Sequence, residues 1–297
     1  MRGIMKLDAA FFEKLSRFRL QMGHKSSMNL SGNRKSVQKG SSTEFSDFRE
    51  YMPGDDIRRI DWNAYGRLDR LYIKEYMEEK EAVVSVLIDT SASMNYGEKK
   101  KSELACMLAA ALGYLGLNNM DRVYLYDMQR MQSPFIAHGG KRAIMGLTDW
   151  LEKCTFEGQV DIPQAVRQLP AKGPGVTILL SDFLQDAFLS KEQDAAKQVL
   201  RFLNYRRQKA VFVHVLAGEE LSVESTGTRN LIDMEENSTL RITLDAASIR
   251  VYEKALQEFT DNLQKECARN GAAYAICSTQ KDFYQLIFQD LRMLYDI

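Results

Sequence analysis

From residue 82 onward, short apolar runs alternate with longer segments in which apolar residues recur at helical spacing. The apolar runs predict β-strands at 83–89, 122–128, 175–182, 210–217 and 272–279. The helical patterns lie at 99–117, 140–154, 162–169, 190–208, 247–270 and 281–295. Strands that alternate with amphipathic helices form parallel sheets whose two faces are covered by helices. The pattern therefore predicts an α/β fold with a doubly wound, mostly parallel sheet.

The region before this alternation has a different character, and we predict an N-terminal extension (1–80) packed on a sheet domain (81–297). Apolar residues at helical spacing predict a helix at 7–22, and a polar stretch with Gly and Ser follows it. Aromatic and charged residues then surround a Pro-Gly turn. Near the other end of the chain, a polar break within 230–244 predicts a β-hairpin inserted before a long helix.

The charge of the whole chain is balanced, with 40 Lys and Arg residues against 40 Asp and Glu residues. Net charge therefore gives no reason to expect a nucleic-acid partner. Residues 1–42 are locally basic, because nine Lys and Arg residues stand against Asp8 and Glu13. Such an arm can contact nucleic acid or anionic lipid, but more often it is solvated or folds back on an acidic body. We expect the second behaviour.

The cysteines and the apolar segments indicate the compartment. Cys106, Cys154, Cys267 and Cys277 lack the CxxC spacing of a structural zinc site, and their surroundings predict buried free thiols. The N-terminus has no signal-peptide-like apolar segment, and no stretch reaches about 18 apolar residues. We therefore expect a soluble, cytoplasmic protein.

Polar side chains follow the predicted strands at the points where those strands end. Asp89, Ser91 and Ser93 follow the first strand, Asp182 ends the third strand, and Asp161 precedes a short helix. In open α/β sheets, binding sites collect at the carboxyl ends of the strands. Carboxylate and hydroxyl oxygens are the ligands that Mg²⁺ prefers. One interpretation of this cluster is a cation site.

The alternative is that Asp89, Ser91 and Ser93 cap the next helix. That helix is predicted to begin near residue 99, which is too far away for one cap to explain all three side chains. The residues by themselves leave both interpretations open.

Enzymatic interpretations find less support. An aspartate nucleophile of the phosphatase type needs a second carboxylate two residues later as general acid, and Ser91 occupies that position. A phosphate-binding P-loop and a GxSxG elbow are absent from the sequence, and its three histidines are isolated. We therefore expect no catalysis, with a metal-dependent, phosphatase-like hydrolase that uses Asp89 and Asp182 as the alternative.

Two linked motifs resemble known families. The segment 89–93 reads Asp-Thr-Ser-Ala-Ser, which resembles the DxSxS signature of the metal-ion-dependent adhesion site (MIDAS) in von Willebrand factor A domains. The upstream block resembles the signature F-x-x-x-R-x-Y-x-x-G-D-D-x-R-x-I-D-W of the bacterial domain of unknown function 58 family. The matching residues are Phe45, Arg49, Tyr51, Gly54, Asp55, Asp56, Arg58, Ile60, Asp61, Trp62 and Arg67.

The resemblance implies a von Willebrand factor A-like, Rossmann-type sheet that binds Mg²⁺, or Mn²⁺ or Ca²⁺, without catalysis. It implies that Asp89, Ser91, Ser93 and Asp182 hold the ion, with Asp161 close by, and that a partner's acidic residue completes its coordination. The implied partner is a MoxR-type AAA+ ATPase, in the assembly or maturation of other proteins. No small-molecule substrate is implied, and any contact with a membrane would be indirect.

The chain departs from this family pattern at one position. Relatives usually carry Gly-Thr-Asp where this chain has Gln159, Val160 and Asp161. Val160 has no oxygen donor, so we expect the site to lose one contact. A water molecule or Asp161 replaces that contact, or the ion binds more weakly.

The upstream block also has a structural interpretation. We predict that its charged side chains pair with one another and serve docking, either within the protein or to a partner, because no nucleophile accompanies them. The residues concerned are Arg49, Asp55, Asp56, Arg58, Asp61, Trp62 and Arg67.

Overall fold

The computed structural model describes residues 9–20, 43–78, 82–139, 142–190, 194–222, 227–232 and 239–296. Most of the basic arm at 1–42 lies outside these residues. The chain divides into two compact units: the sheet unit, formed by Met1–Lys25 with Ala82–Ile297, and the smaller unit, Ser26–Glu81. This division differs from the boundary expected at 80/81, because the N-terminal helix shares a hydrophobic core with the sheet.

The described residues form the following elements. The strands are β1 Arg19–Leu20, β2 Thr43–Glu50, β3 Tyr72–Glu78, β4 Val83–Ile88, β5 Arg122–Asp127, β6 Phe135–His138, β7 Gly175–Ser181, β8 Gln208–Leu216, β9 Gly227–Ile232, β10 Thr239–Leu244, β11 Ala273–Ser278 and β12 Tyr295–Asp296. The helices are α1 Ala9–Leu15, α2 Trp62–Leu68, α3 Lys101–Asn118, α4 Arg142–Leu151, α5 Ile162–Arg167, α6 Asp186–Leu189, α7 Ala195–Tyr205, α8 Gly218–Leu221, α9 Ala246–Arg269 and α10 Phe283–Gln285. Short 3₁₀ or π turns lie at Ile57–Arg59, Ala92–Asn95, Leu286–Asp290 and Arg292–Leu294.

A six-stranded, mostly parallel sheet organises the sheet unit, with the strand order β11-β8-β7-β4-β5-β6. Only β6, at one edge, runs antiparallel to its neighbour within this sheet. The strands predicted from the apolar runs are confirmed, and their ends agree to within two residues. The sequence does not predict β6, because this edge strand has only four residues, which are alternately half-buried and exposed.

The central strands are apolar at nearly every position because helices cover both faces of the sheet. Every residue of β4 and β7 is buried. Alternate side chains of β4 point to opposite faces. Val84 and Val86 belong to the core that contains α3, whereas Leu87 belongs to the core that contains α5 and α7. The result is a mixed α/β architecture.

Helix α3 is buried on almost all sides, because it contacts β4, β5, α1 and α4. It accordingly has no polar stripe of the kind that a surface helix presents. Gly116 permits the close approach to the sheet, since a Cβ atom there would lie 2.7 Å from Val123 Cγ2. Neither α3 nor any other helix within the described part of the chain is long and apolar enough to cross a membrane.

Two predicted helices differ from the structure. Helix α1 ends at Leu15, so the prediction of a helix at 7–22 is wrong for residues 16–20, and residues 7–8 and 21–22 lie outside the described part of the chain. The single helix predicted at 281–295 is also wrong, since α10 gives way to a π turn and then a 3₁₀ turn. The chain after α1 continues into β1, and the chain after the last 3₁₀ turn continues into β12; these two strands pair antiparallel. Strand pairing requires extended backbone, so each helix stops before it.

Two smaller predictions are confirmed. Strands β9 and β10 pair antiparallel, with Thr239 opposite Ile232, and form the hairpin expected at 230–244. The four cysteines are free and buried, as their apolar surroundings predict.

Candidate metal centre

Asp89 lies directly after β4 and is fixed by hydrogen bonds on every side. Its backbone N–H donates to Leu180 O of the neighbouring strand at 2.9 Å. Its Oδ1 accepts from the Ser91 backbone N–H at 2.9 Å, and its Oδ2 accepts from the Ser181 hydroxyl at 2.5 Å. The side chain is 0% exposed. The carboxylate is therefore held in one orientation at the carboxyl edge of the sheet.

Ser91 and Ser93 bring their hydroxyls together beside this carboxylate. Their Oγ atoms lie 3.0 Å apart. The 3₁₀ turn Ala92–Asn95 follows Ser91 and separates β4 from α3. The N-cap of α3 is Lys100, which makes no side-chain capping bond. The capping interpretation of Asp89, Ser91 and Ser93 is therefore wrong for α3.

Asp182 follows β7, the neighbour of β4, and shares the site with Asp89. Its Oδ1 accepts from the Leu184 N–H at 3.1 Å, and the Ser93 hydroxyl is among the groups that lower its pKa. Burial, and then the charge of Asp182, raise the pKa of Asp89 to about 6. Burial alone would raise the pKa of Asp182 as well, but the Lys101 ammonium outweighs it and holds that pKa below its usual range.

Lys101 is the residue of this site that sequence reasoning missed. Its side chain is 1% exposed, and its Nζ donates to Asp182 Oδ2 at 2.7 Å and to Glu220 Oε1 at 2.6 Å. Burial would lower the pKa of Lys101, but the two carboxylates raise it above its ordinary value. Glu220 is fixed in turn, because its Oε2 accepts from the Ala217 N–H at 2.7 Å. In the sequence, Lys101 ends a run of three lysines that gives no signal of burial.

Asp161 has a different position from the other predicted ligands. It is exposed and caps α5, where its Oδ1 accepts from the Gln164 N–H at 2.9 Å. Within the described ranges, no hydrogen bond or ion pair joins its side chain to Asp89 or Asp182. Val160 is half-buried and packs against the core that contains α5. The structure thus brings together Asp89, Ser91, Ser93 and Asp182, whereas the described contact of the Asp161 carboxylate is its cap of α5.

The loop before Asp161 nevertheless contacts the DxSxS segment through its backbone. The Glu157 N–H donates to Thr90 O at 3.0 Å, and the Ala92 N–H donates to Gly158 O at 2.9 Å. The Thr90 side chain turns the other way and donates to Asp127 Oδ1 at 2.5 Å. Asp127, at the end of β5, was not singled out from the sequence, and its contacts are structural.

The donor chemistry of this cluster fits a hard divalent cation. Among the residues that the structure describes, no three His, Cys, Asp or Glu side chains form a group that could hold a metal ion. A site here would therefore depend on the carboxylates of Asp89 and Asp182 together with the hydroxyls of Ser91 and Ser93. Such oxygen donors suit Mg²⁺, which usually retains several water ligands. Burial, and then the repulsion from Asp182, raise the pKa of Asp89, and a bound cation would offset both.

The predicted docking residues lie in the smaller unit, where β2 and β3 form an antiparallel pair. Arg49 pairs with Asp55 at 3.0 Å, as expected for a charged network. The Asp56 carboxylate instead accepts from the Arg58 N–H at 3.1 Å. Asp61 caps α2 by accepting from two backbone N–H groups.

Exposed side chains surround this local network. Trp62 is 64% exposed, and Arg58 and Arg67 are exposed as well. The acidic residues of the block thus shape turns and a helix start. A docking role for the exposed side chains stays a prediction.

Two solved structures are similar to part of the chain. The crystal structure of conserved hypothetical protein BatB from Bacteroides thetaiotaomicron is 14% identical, with coverage of 72% of this chain and 98% of that chain and a TM-score of 0.40. An aerotolerance-related membrane protein from Bacteroides fragilis is 16% identical, with coverage of 71% and 99% and a TM-score of 0.39. These TM-scores are too low to support an argument about the fold.

Sequence comparison gives a clearer relationship. An uncharacterized protein of Mycobacterium tuberculosis, Rv1480, is 22% identical over 264 residues, which cover 86% of this chain and 80% of the relative. An uncharacterized protein of Mycobacterium bovis, Mb1516, matches to the same extent. Residues 47–261 match the family described as "Protein of unknown function DUF58", and this range includes most of the upstream block and all of the DxSxS segment. The chain therefore belongs to the DUF58 family.

Proposed function

We propose that this protein is a non-enzymatic adaptor whose sheet unit binds a divalent cation and, through that cation, an acidic residue of a protein partner. The proposed fold of this unit is von Willebrand factor A-like and doubly wound. Asp89, Ser91, Ser93 and Asp182 would hold Mg²⁺, with Mn²⁺ or Ca²⁺ as alternatives. The single observation that carries the proposal is the convergence of these four side chains at the ends of two adjacent parallel strands.

The electrostatics of the cluster support a cation. Asp89 and Asp182 are buried, and the charge of Asp182 helps to raise the pKa of Asp89 to about 6. Two carboxylates close together in a buried site need positive charge to compensate them. Lys101 supplies one such charge at Asp182, and Asp89 requires another. When bound, a divalent ion would supply that charge and an open coordination position for a carboxylate from outside the chain.

The surroundings of the cluster support a protein partner. Ser93 is half-buried, and Tyr96, Gln129 and Glu157 nearby along the loops are exposed. A carboxylate on a partner surface could approach past these side chains. The partner that the family resemblance implies is a MoxR-type AAA+ ATPase, with the adaptor acting in the assembly or maturation of other proteins in the cytoplasm.

A metal-dependent, phosphatase-like hydrolase that uses Asp89 and Asp182 is the second candidate. The pKa of about 6 for Asp89 favours it, since such a group can exchange a proton near neutral pH. Against it, Ser91 occupies the position two residues after Asp89 where a phosphatase of this type needs a carboxylate as general acid. For this reason we rank the hydrolase below the adaptor.

Calorimetry with Mg²⁺ and Mn²⁺ tests the metal part of the proposal. Wild type should bind, Asp89→Asn and Asp182→Asn should bind much more weakly, and the exposed control Asp186→Asn should resemble wild type. Equal binding of Mg²⁺ by wild type and Asp89→Asn would contradict the proposed cation site.

The partner part is tested by pull-down of a MoxR-type ATPase in Mg²⁺ and in chelator. Capture should require both the ion and Asp89, and capture that ignores both would contradict an ion-bridged contact. A screen for phosphatase and nuclease activity with saturating Mn²⁺ tests the hydrolase. Turnover that disappears in Asp89→Asn would favour the second candidate over the first.

A further inference from the structure

We propose that Lys101 is an internal counter-ion of this centre, which stabilises it when no metal is bound and weakens its affinity for a divalent cation. The inference rests on the proposed function, because it concerns the same site. It assigns a role to a residue that neither family signature contains.

The geometry makes Lys101 the charged link between three separate elements. Lys101 begins α3, and its partners Asp182 and Glu220 lie 81 and 119 residues away, after β7 and in α8. Its Nζ lies 2.7 Å from Asp182 Oδ2 and 2.6 Å from Glu220 Oε1. A buried ammonium is costly unless carboxylates compensate it, and the ammonium in turn compensates these two buried carboxylates. The metal-free protein therefore keeps its compensation without any bound ion.

The same contact couples Lys101 to a bound cation. Asp182 is both a proposed ligand and the partner of Lys101, so a metal ion and the ammonium act on one carboxylate. Two positive charges that share a carboxylate repel each other and weaken each other's contacts. Because coupling is reciprocal, the presence of Lys101 lowers the affinity for the metal by the same factor by which the metal weakens the Lys101 contact.

The charges present also indicate which ions would suit the site. Asp89, Asp182 and Glu220 with Lys101 leave an excess negative charge that one divalent cation neutralises. Removing the ammonium would increase that excess and favour cation binding. Removing the Glu220 charge would decrease the excess and disfavour it.

The experiment measures thermal unfolding in chelator and in Mg²⁺, together with the Kd for Mg²⁺ by calorimetry, at one fixed pH. Lys101→Met removes the charge and keeps an unbranched apolar side chain, and the neighbouring exposed Lys99→Met is the matched control. In chelator, Lys101→Met should unfold at a lower temperature than wild type. Adding Mg²⁺ should raise its unfolding temperature by more than it raises that of wild type, and its affinity for Mg²⁺ should be about tenfold higher. Lys99→Met should resemble wild type.

Glu220→Gln gives an independent test if Lys101→Met does not fold without metal. It keeps the ammonium and removes one carboxylate, so its Kd for Mg²⁺ should rise about fivefold. Wild-type affinity in both Lys101→Met and Glu220→Gln would overturn the inference and leave the proposed cation site intact. If wild type and Asp89→Asn both fail to bind Mg²⁺, the proposed function fails and this inference fails with it.

Discussion

Asp89 and Ser181 join the ends of two neighbouring parallel strands through one buried hydrogen bond, in which the Ser181 hydroxyl donates to Asp89 Oδ2 at 2.5 Å. The same hydroxyl accepts from the Phe183 N–H at 2.9 Å. Ser181 therefore links the carboxylate to the loop that carries Asp182. A bond to the ionised form of a carboxyl favours that form, so Ser181 limits the rise in the pKa of Asp89.

We expect Ser181→Ala to destabilise the metal-free protein by about 1–2 kcal/mol, because it leaves Asp89 Oδ2 and the Phe183 N–H without their partner. Urea denaturation in chelator measures the change in the free energy of unfolding. Ser133→Ala, at an exposed serine, is the control and should have almost no effect. Equal stability of the two variants would contradict a structural role for the Ser181 bond.

We expect Asp89→Asn to stabilise the metal-free protein at pH 7.5, although it removes Mg²⁺ binding. Burial, together with Asp182, raises the pKa of Asp89 from 3.8 to about 6, so its ionised form costs up to about 3 kcal/mol above pH 6. Between pH 6 and 3.8 the folded state of wild type holds a proton that the unfolded state lacks, and this contribution favours folding as the pH falls. The advantage of the variant should therefore shrink below pH 6. Denaturation of both proteins in chelator at pH 7.5 and pH 5 measures it, and an advantage that is equal at both pH values would contradict the raised pKa.

We expect His214 to destabilise the protein in acid. Burial lowers its pKa from 6.5 to about 4, and its Nδ1 lies 2.7 Å from Tyr274 Oη. Between pH 6.5 and 4 the unfolded state binds a proton that the folded state does not, so stability falls as the pH falls. His214→Gln should show a flatter dependence of the free energy of unfolding on pH in this window. A slope as steep as that of wild type would indicate that other groups cause the acid sensitivity.

We expect Asp161→Ala to lower stability without changing the affinity for Mg²⁺. The structure gives this carboxylate the N-cap of α5, and losing such a cap costs about 1 kcal/mol. Thermal unfolding measures the first effect and calorimetry the second, with Asp182→Asn as the comparison that should lose the metal. A comparable loss of affinity in Asp161→Ala would instead support the ligand role that the family resemblance implies.

The strands and the polar residues that follow them could be predicted because the signal is local. A buried central strand is apolar at nearly every position, and a polar residue marks the point where it leaves the sheet, as Asp89 does after Ile88. Parallel topology then brings Asp89 and Asp182 to one edge without further information. The metal-ligand role of these residues stays a prediction.

The features that could not be predicted depend on contacts distant in sequence. Lys101 resembles the exposed Lys99 and Lys100 until α3 is packed and its partners, 81 and 119 residues away, are in place. The position of Asp161 before a short helix is compatible both with capping that helix and with binding a metal ion, and the sequence does not distinguish the two roles. The structure shows the capping contact with α5. The early end of α1 likewise depends on β12, at the far end of the described chain.

The pairing of β1 with β12 affects the order in which the protein folds. Arg19 and Leu20 pair with Asp296 and Tyr295, and the Phe11 ring of α1 packs against the rings of Phe283 and Tyr284. During synthesis on the ribosome, α1 emerges well before these partners, because they lie far behind it in the chain. Contacts of such large sequence separation form slowly, and the apolar surface that awaits them is exposed meanwhile. The nascent chain must therefore keep Phe11 and Leu15 from misassociation until almost the whole sheet unit has left the ribosome.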